Sequence, residues 1–309
     1  MVVRIKRDGS ISYRQAMDIK SYAFSKMYNE LVLHMSSGEI GMADAVLERY
    51  IDQNTNDADA WMLYGQMLYR RGLSEPARAI FRNYCSKANS PHVSDVLHAK
   101  HGAVVAVVDD VRKILYIPIP KCANTTVKNY IYYGLTGESC GLMVHEKLSI
   151  LNRVVFVDEL TNKYNDYFKF SVIRDWKQRI VSYLQGNIER GYLRKSSFGR
   201  EFFCGISTSP SIDDVHFSFF KYRQYFLDFR HHTDPMSWYI PNIEALDALF
   251  NMDSLDDVRA FLEWAYQVKI PTMHEMKSGD VQSQIKMSPD MDKFYEIDEK
   301  ISLYDFGAK

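Results

Sequence analysis

No stretch of the 309-residue sequence approaches the roughly 18 consecutive apolar residues of a membrane-crossing helix. The first ten residues, MVVRIKRDGS, carry charge where a secretory signal would carry a hydrophobic run. Cysteine is scarce. Cys85, Cys122, Cys140 and Cys204 are far apart and form no CxxC pair, which argues against a zinc site and a disulfide framework. These absences lead to the expectation of a cytoplasmic protein without a membrane span. Neither sign of charge dominates: 38 Lys and Arg face 39 Asp and Glu, for a net charge of −1. Global attraction to nucleic acid or an anionic membrane is therefore not expected, and any anion site must be local. Low-complexity segments are missing, and so is the glycine-rich G-x-x-x-x-G-K-[ST] loop of an ordinary ATP site.

What is present changes in texture along the chain. The first third reads as helices. In AWMLYGQMLYRRGLSEPARAIFRNYCSKANSP, Trp61, Gly65, Gly72, Ala77 and Phe81 fall at the spacing of a 34-residue helical repeat. Moving back 34 positions, Gly38 matches Gly72 and Ala43 matches Ala77, with GMADAVLERYI as the earlier second helix. The segment resembles two tetratricopeptide (TPR) units, the first degenerate. A plain pair of helical hairpins is the alternative. Two repeats rarely bury enough surface alone, so the segment is expected to pack on the rest of the chain, a partner or a second copy.

After SPHVSDVLHAKHG the pattern becomes β-rich. AVVAVV (Ala103 to Val108) and KILYIPI (Lys113 to Ile119) predict a hairpin, and FKFSVI (Phe168 to Ile173) a further strand. Helices are expected after Asp175, near SFFKYRQYFLDF and at DSLDDVRAFLEWAYQ, which makes an α/β pattern. The second strand runs into PIPKCANTTVK, a polar turn opening a helix. Free N–H groups at a helix start, favoured by the helix dipole, make an anion pocket. Lys121 precedes Thr125 and Thr126 here, so the anion is phosphate-like and the loop is not a Walker loop.

This loop resembles the 5′-phosphosulfate-binding loop of carbohydrate sulfotransferases of the sulfotransferase 2 family, the chondroitin and HNK-1 type. Pro120, Lys121, Thr125, Thr126 and Lys128 match its pattern. The family's 3′-phosphate motif, a strand ending in Arg-Asp-Pro and then a helix with Arg and Ser, is matched by Arg174, Asp175, Arg179 and Ser182 in FKFSVIRDWKQRIVSY. Asp175 suits a helix N-cap, with Gln178 placed to complete a capping box. Arg179 and Ser182 are three apart and share a helix face. Trp176 departs from the pattern where the family has proline, and either packs in the core or lies near the adenine. His232 and Pro235 match a His-x-x-Pro segment, and YEIDEKISLYDFG resembles a C-terminal Tyr-x-x-Asp pattern.

The resemblance covers roughly residues 100 to 309. It implies a three-layer, P-loop-like α/β domain with a mostly parallel central sheet over 96–309, behind a small all-α TPR-like domain over 1–95. It also implies transfer of a sulfuryl group from 3′-phosphoadenosine 5′-phosphosulfate (PAPS) to a hydroxyl, with adenosine 3′,5′-bisphosphate (PAP) as product and no metal. Lys121, Cys122, Ala123, Asn124, Thr125, Thr126, Arg174 and Ser182 would then hold the donor, with Lys121 on the leaving phosphate. The general base is His145 or His232. Arg190, Arg194 and Lys195, interleaved with aromatic residues, are candidates for an anionic glycan acceptor, or else a solvated face. Two other readings compete: a P-loop-type kinase using ATP and Mg²⁺, and a TPR-type adaptor with an inactive α/β domain.

Overall fold

The computed structural model describes residues 23–24, 26–31, 33–34, 37, 39–70, 73–84, 103–188, 191, 193, 201–203, 205–240, 243–273 and 287–302. Helical residues between 23 and 34 are followed by α1 (Ile40–Gln53), α2 (Ala58–Arg70) and α3 (Ser74–Tyr84). Asp57 opens α2. Its carboxylate accepts from the Asp59 amide at 3.1 Å and from the Tyr50 hydroxyl at 2.8 Å, which fastens the end of α1 to the start of α2. The α2–α3 pair fills the span expected of the second helical unit, and Trp61 stacks on Tyr84 at 4.9 Å. Ala43 and Ala77, expected where helices approach closely, are both fully buried. Met62, Leu68 and Ala77 also pack with Ala103 and Phe156. The helices and the first strands thus share apolar contacts.

The strands are β1 (Ala103–Asp109), β2 (Ile114–Ile117), β3 (Asn152–Phe156), β4 (Phe168–Ile173), the short pair β5 (Phe202–Phe203) and β6 (Ile206–Ser207), and β7 (Ala248–Asn251). Five of them form one sheet in the order β3-β1-β2-β4-β7. The β2–β4 and β4–β7 pairs are parallel, whereas β1 is antiparallel to both β2 and β3. Four strands therefore point one way and β1 alone is reversed, so the sheet is mostly parallel. The expected hairpin is the β1–β2 pair, and the strand expected at Phe168 to Ile173 is β4. Strand β3 is not among the expected strands, because its five residues sit between short helical turns.

The remaining helices are α4 (Asn124–Thr136), α5 (Val144–Lys147), α6 (Trp176–Tyr183), α7 (Ile212–Tyr225), α8 (Leu227–Thr233), α9 (Leu255–Tyr266), α10 (Pro289–Phe294) and α11 (Glu296–Ser302). The strands alternate sides as a period of two requires. Leu115 and Ile117 pack with Met236 and Tyr239 on one face, while Ile114 and Tyr116 pack with Val127, Tyr130 and Leu262 on the other. Both faces are covered, as a layered α/β domain demands. Helices α4 and α9 meet at Gly134, where an added Cβ would sit 2.5 Å from the Tyr266 ring, so only glycine fits. The parallel strands β2, β4 and β7 end on one edge of the sheet. Ligands of open α/β sheets bind outside that edge.

Candidate active site

The turn between β2 and α4 is strained. Lys121 (φ 64°) and Ala123 (φ 53°) both adopt left-handed backbone, and the turn contains no glycine. Such a conformation costs a residue with a Cβ about 1–2 kcal/mol. The curl brings successive amides towards one point, the geometry of an anion-holding concavity. The first bond of α4 runs from the Val127 amide to the Ala123 carbonyl at 3.0 Å. The amides of Asn124, Thr125 and Thr126 lie ahead of it and have no acceptor within the helix.

The loop residues divide in role. Cys122 uses its amide on the Ile119 carbonyl at 3.2 Å and buries its thiol against the Met236 sulfur at 3.8 Å. Burial pushes that thiol up to about 11, against the opposing pull of Arg179 and Arg174. It therefore stays protonated and shapes the loop. Thr126 is buried, whereas Asn124 and Thr125 are half-buried. The Asn124 Oδ1 atom is buried without a hydrogen-bond partner among the described residues.

The second motif stands beside the first. The Ser171 hydroxyl donates to the Ile117 carbonyl at 2.7 Å, which locks β4 against the end of β2. Arg174 follows at the end of β4, with its amide directed at the Cys122 thiol. Burial lowers the Arg174 guanidinium from its usual value, opposed by Cys122, Asp253 and Asp175. Its Nε is buried and has no partner among the described residues. A buried donor left open in this way calls for an acceptor that the described residues do not supply. Asp175 caps α6 as expected, accepting the Gln178 amide at 2.8 Å, but the return bond of a capping box is absent among the described hydrogen bonds. Ser182 is half-buried in the last turn of α6.

Arg179 does not join Ser182 on a ligand face. It is fully buried, and its Nε donates to the Pro120 carbonyl at 2.8 Å from beneath the loop. Trp176 goes to the core, stacked on Tyr295 at 4.4 Å. The C-terminal Tyr-x-x-Asp pair supports this region. The Asp298 carboxylate accepts the Met236 and Ser237 amides at 2.7 and 3.0 Å, and the Tyr295 hydroxyl donates to the Thr233 carbonyl. The His232–Pro235 segment is thus held by residues some 60 positions away.

His145 touches the loop directly, whereas His232 is linked to it only through Tyr183. The Lys121 ammonium lies 5.8 Å from the Tyr183 ring centroid, and the same ring stacks on His232 at 4.9 Å. A Cβ on Gly186 would meet Lys121 Nζ at 3.6 Å, an ordinary van der Waals contact, so Gly186 lies beside that ammonium. His145, carried by α5, shares a hydrogen bond between its Nε2 and the Thr125 hydroxyl at 3.0 Å. Asn129 sets α5 in place: its amide donates to the Thr125 and Gly141 carbonyls at 3.0 and 2.9 Å, and its oxygen accepts the Cys140 amide at 3.3 Å. Desolvation by the surrounding protein, then the neighbouring Lys128 and His231, lower the His145 imidazole from its ordinary value. The residue is nevertheless exposed in surface area, so solvent screens part of this effect. Either way the ring is neutral at pH 7, the form that accepts a proton.

Residues 105–294 match a family model described as the sulfotransferase family. The chain belongs to the sulfotransferase family. No protein of curated function and no solved structure matched it. Within this sulfotransferase the matched span takes in both candidate anion-holding elements, His145 and His232. It begins within β1 and leaves out the N-terminal helices. Arg190, Arg194 and Lys195 lie outside the described residues. Among the described residues no three His, Cys, Asp or Glu side chains gather as a metal site would require, and no helix is long and apolar enough to cross a membrane. Sequence reasoning missed Asn129 and the Lys121–Tyr183–His232 series. A helix-interior asparagine and a buried tyrosine carry no signal until their neighbours are known.

Proposed function

We propose that this sulfotransferase uses PAPS as donor and transfers the sulfuryl group in line to a hydroxyl of a carbohydrate acceptor. The observation that carries the reading is the adjacency of two anion-holding elements. The amides of the strained 121–126 turn and the open Nε of Arg174 end neighbouring parallel strands. Spaced in this way, they suit a ligand with two phosphate-like groups. Lys121, Asn124, Thr125 and Thr126 would hold the 5′-phosphosulfate end, and Arg174 with Ser182 the 3′-phosphate. A guanidinium offers the planar fork that suits phosphate.

Bound PAPS supplies an activated sulfuryl group: the sulfur–oxygen bond to the 5′-phosphate breaks as a bond from the acceptor oxygen to sulfur forms. The charge left on the phosphate oxygen falls to the Lys121 ammonium and the loop amides, which are fixed in advance by the turn. The acceptor proton passes to a neutral imidazole. His145 is favoured, because its bond to Thr125 places it at the loop, and His232 is the alternative. The acceptor class rests on the resemblance to carbohydrate sulfotransferases. The N-terminal helices are read as a TPR-like docking unit for a partner protein or a second copy.

Thermal shift tests the donor. PAP without metal should raise the melting temperature, because a ligand that binds only the folded state stabilises it by mass action. ATP with Mg²⁺ should not. The opposite result would replace this reading with that of a nucleotide-dependent kinase.

A further inference from the structure

Asn129 is a polar residue in an apolar place. It is fully buried on α4 between Val127 and the pair Tyr130 and Ile131, which pack with Val144 and Leu148. Its carboxamide is used to capacity. The side-chain N–H groups donate to the Thr125 and Gly141 carbonyls at 3.0 and 2.9 Å. The side-chain oxygen accepts from the Cys140 amide at 3.3 Å and from the Cys140 thiol at 3.8 Å. Two donated and two accepted bonds are all that a carboxamide can make. A position that needed only packing would hold leucine and bury no polar group.

The spacing of these bonds indicates what they hold. On α4, Thr125 and Asn129 are four residues apart, so they share one face about one helical turn apart. On the facing stretch, Gly141 and His145 are also four residues apart, in the short turn Gly141–Met143 and in α5. Asn129 bonds Gly141 and Thr125 bonds His145, so the two stretches run antiparallel and are pinned at both ends. Val144 and Leu148 draw the stretch to α4 without fixing its register, because apolar burial is non-directional. The Asn129 bonds are directional and set that register. Thr125 is gripped twice, its hydroxyl by His145 and its carbonyl by Asn129.

Resting on the reading of His145 as the base, we propose that Asn129 is a positioning residue that sets the His145 ring against Thr125 and so ties the base to the anion loop. Helix α5 has four residues, far too few to hold itself, since isolated helices below ~12 residues are marginal. Its place must come from its contacts. The Asn129 clasp relieves the single Thr125–His145 bond of holding the stretch by itself. Such precision matters at a reacting centre, where a displacement of about 1 Å can lower the rate ~10²-fold. Beyond desolvation, the groups that act on the held ring are Lys128 on α4 and His231 on α8. Glu146 and Lys147 are its exposed neighbours on α5.

The titration of the ring reports its place, and reading it needs no acceptor. Histidine-labelled protein is titrated by NMR below its melting temperature, with His145→Gln assigning the signal. In the wild type the desolvated ring should titrate below its ordinary ~6.5, towards about 4. Asn129→Leu, similar in size but without the four bonds, should bring the midpoint back up to ~6.5 as the ring meets water. The same variant should bind PAP as the wild type does. Asn129→Ser, which keeps one donor, should fall between the two and serves if the leucine variant does not fold. A variant midpoint equal to that of the wild type would make Asn129 structural only, and a loss of PAP affinity would place its effect on the loop; either result overturns the proposal. A wild type that binds no PAP would refute the donor reading, a separate failure that leaves the titration readable.

Discussion

The Thr125 hydroxyl and the His145 Nε2 lie 3.0 Å apart, so a residue of the anion loop and the favoured base are in direct contact. On the proposed reading, donor and acceptor chemistry would meet at this point. His145→Ala should leave PAP affinity unchanged and reduce turnover by roughly 10²–10⁴, the usual range for a general base. Steady-state kinetics beside PAP titration checks this. If His232→Ala gives that pattern and His145→Ala does not, the base is reached through Tyr183 instead.

The two arginines of one motif have separate jobs, and their variants should separate too. Arg174→Ala should keep its melting temperature and lose PAP affinity by about 1.5–3 kcal/mol, the worth of a charge-assisted bond. Arg179→Met should lower the melting temperature, because the Pro120 carbonyl loses its donor and the loop its support. Equal melting temperatures for both variants would contradict this division.

Lys121 is expected to act on the leaving group. Lys121→Ala should lower kcat by about 10²–10³, by analogy with loss of one oxyanion donor, while PAP binding falls less. Wild-type turnover in this variant would remove Lys121 from the chemistry.

Ala123 holds a left-handed conformation that glycine adopts freely. Ala123→Gly should therefore raise unfolding stability by about 1 kcal/mol in denaturant titration. A destabilised glycine variant would mean that the turn gains more from the alanine methyl than it loses in strain.

Lys128 gives a pH signature. Its folded-state value is lowered to about 8, below the ordinary 10.5 of the unfolded chain. Between these values the unfolded state binds more protons, so stability rises with pH across that window. The wild type should gain up to ~3 kcal/mol on Lys128→Met as the pH rises from 8 to 10.5, since a tenfold difference in proton affinity is worth about 1.36 kcal/mol. Taking the difference cancels the tyrosines that titrate in the same range. A flat difference would place Lys128 in contact with water.

Much of this arrangement was legible before the fold. The β4 strand and the hairpin follow from β-branched runs that stop at polar turns, a purely local signal. Arg174 was singled out by its place in the resembling motif, at a strand end before a capping aspartate. Arg179 was not. Its spacing from Ser182 is right for a shared face, but only tertiary packing shows that it turns under Pro120. Trp176 was undecidable for the same reason, since its partner Tyr295 is more than a hundred residues away. The helical texture of the first third anticipated helices there, but could not reveal that Met62 and Leu68 would lie against Phe156.

The Asp298 clasp on Met236 and Ser237 has a consequence for synthesis. A chain leaves the ribosome from its N-terminus, so the phosphate loop and both histidines emerge long before Tyr295 and Asp298. Until those two arrive, Trp176 lacks its stacking partner and the 236–237 amides lack their acceptor. The nascent protein can pair its strands early, yet its candidate site becomes rigid only when this late stretch of chain folds back.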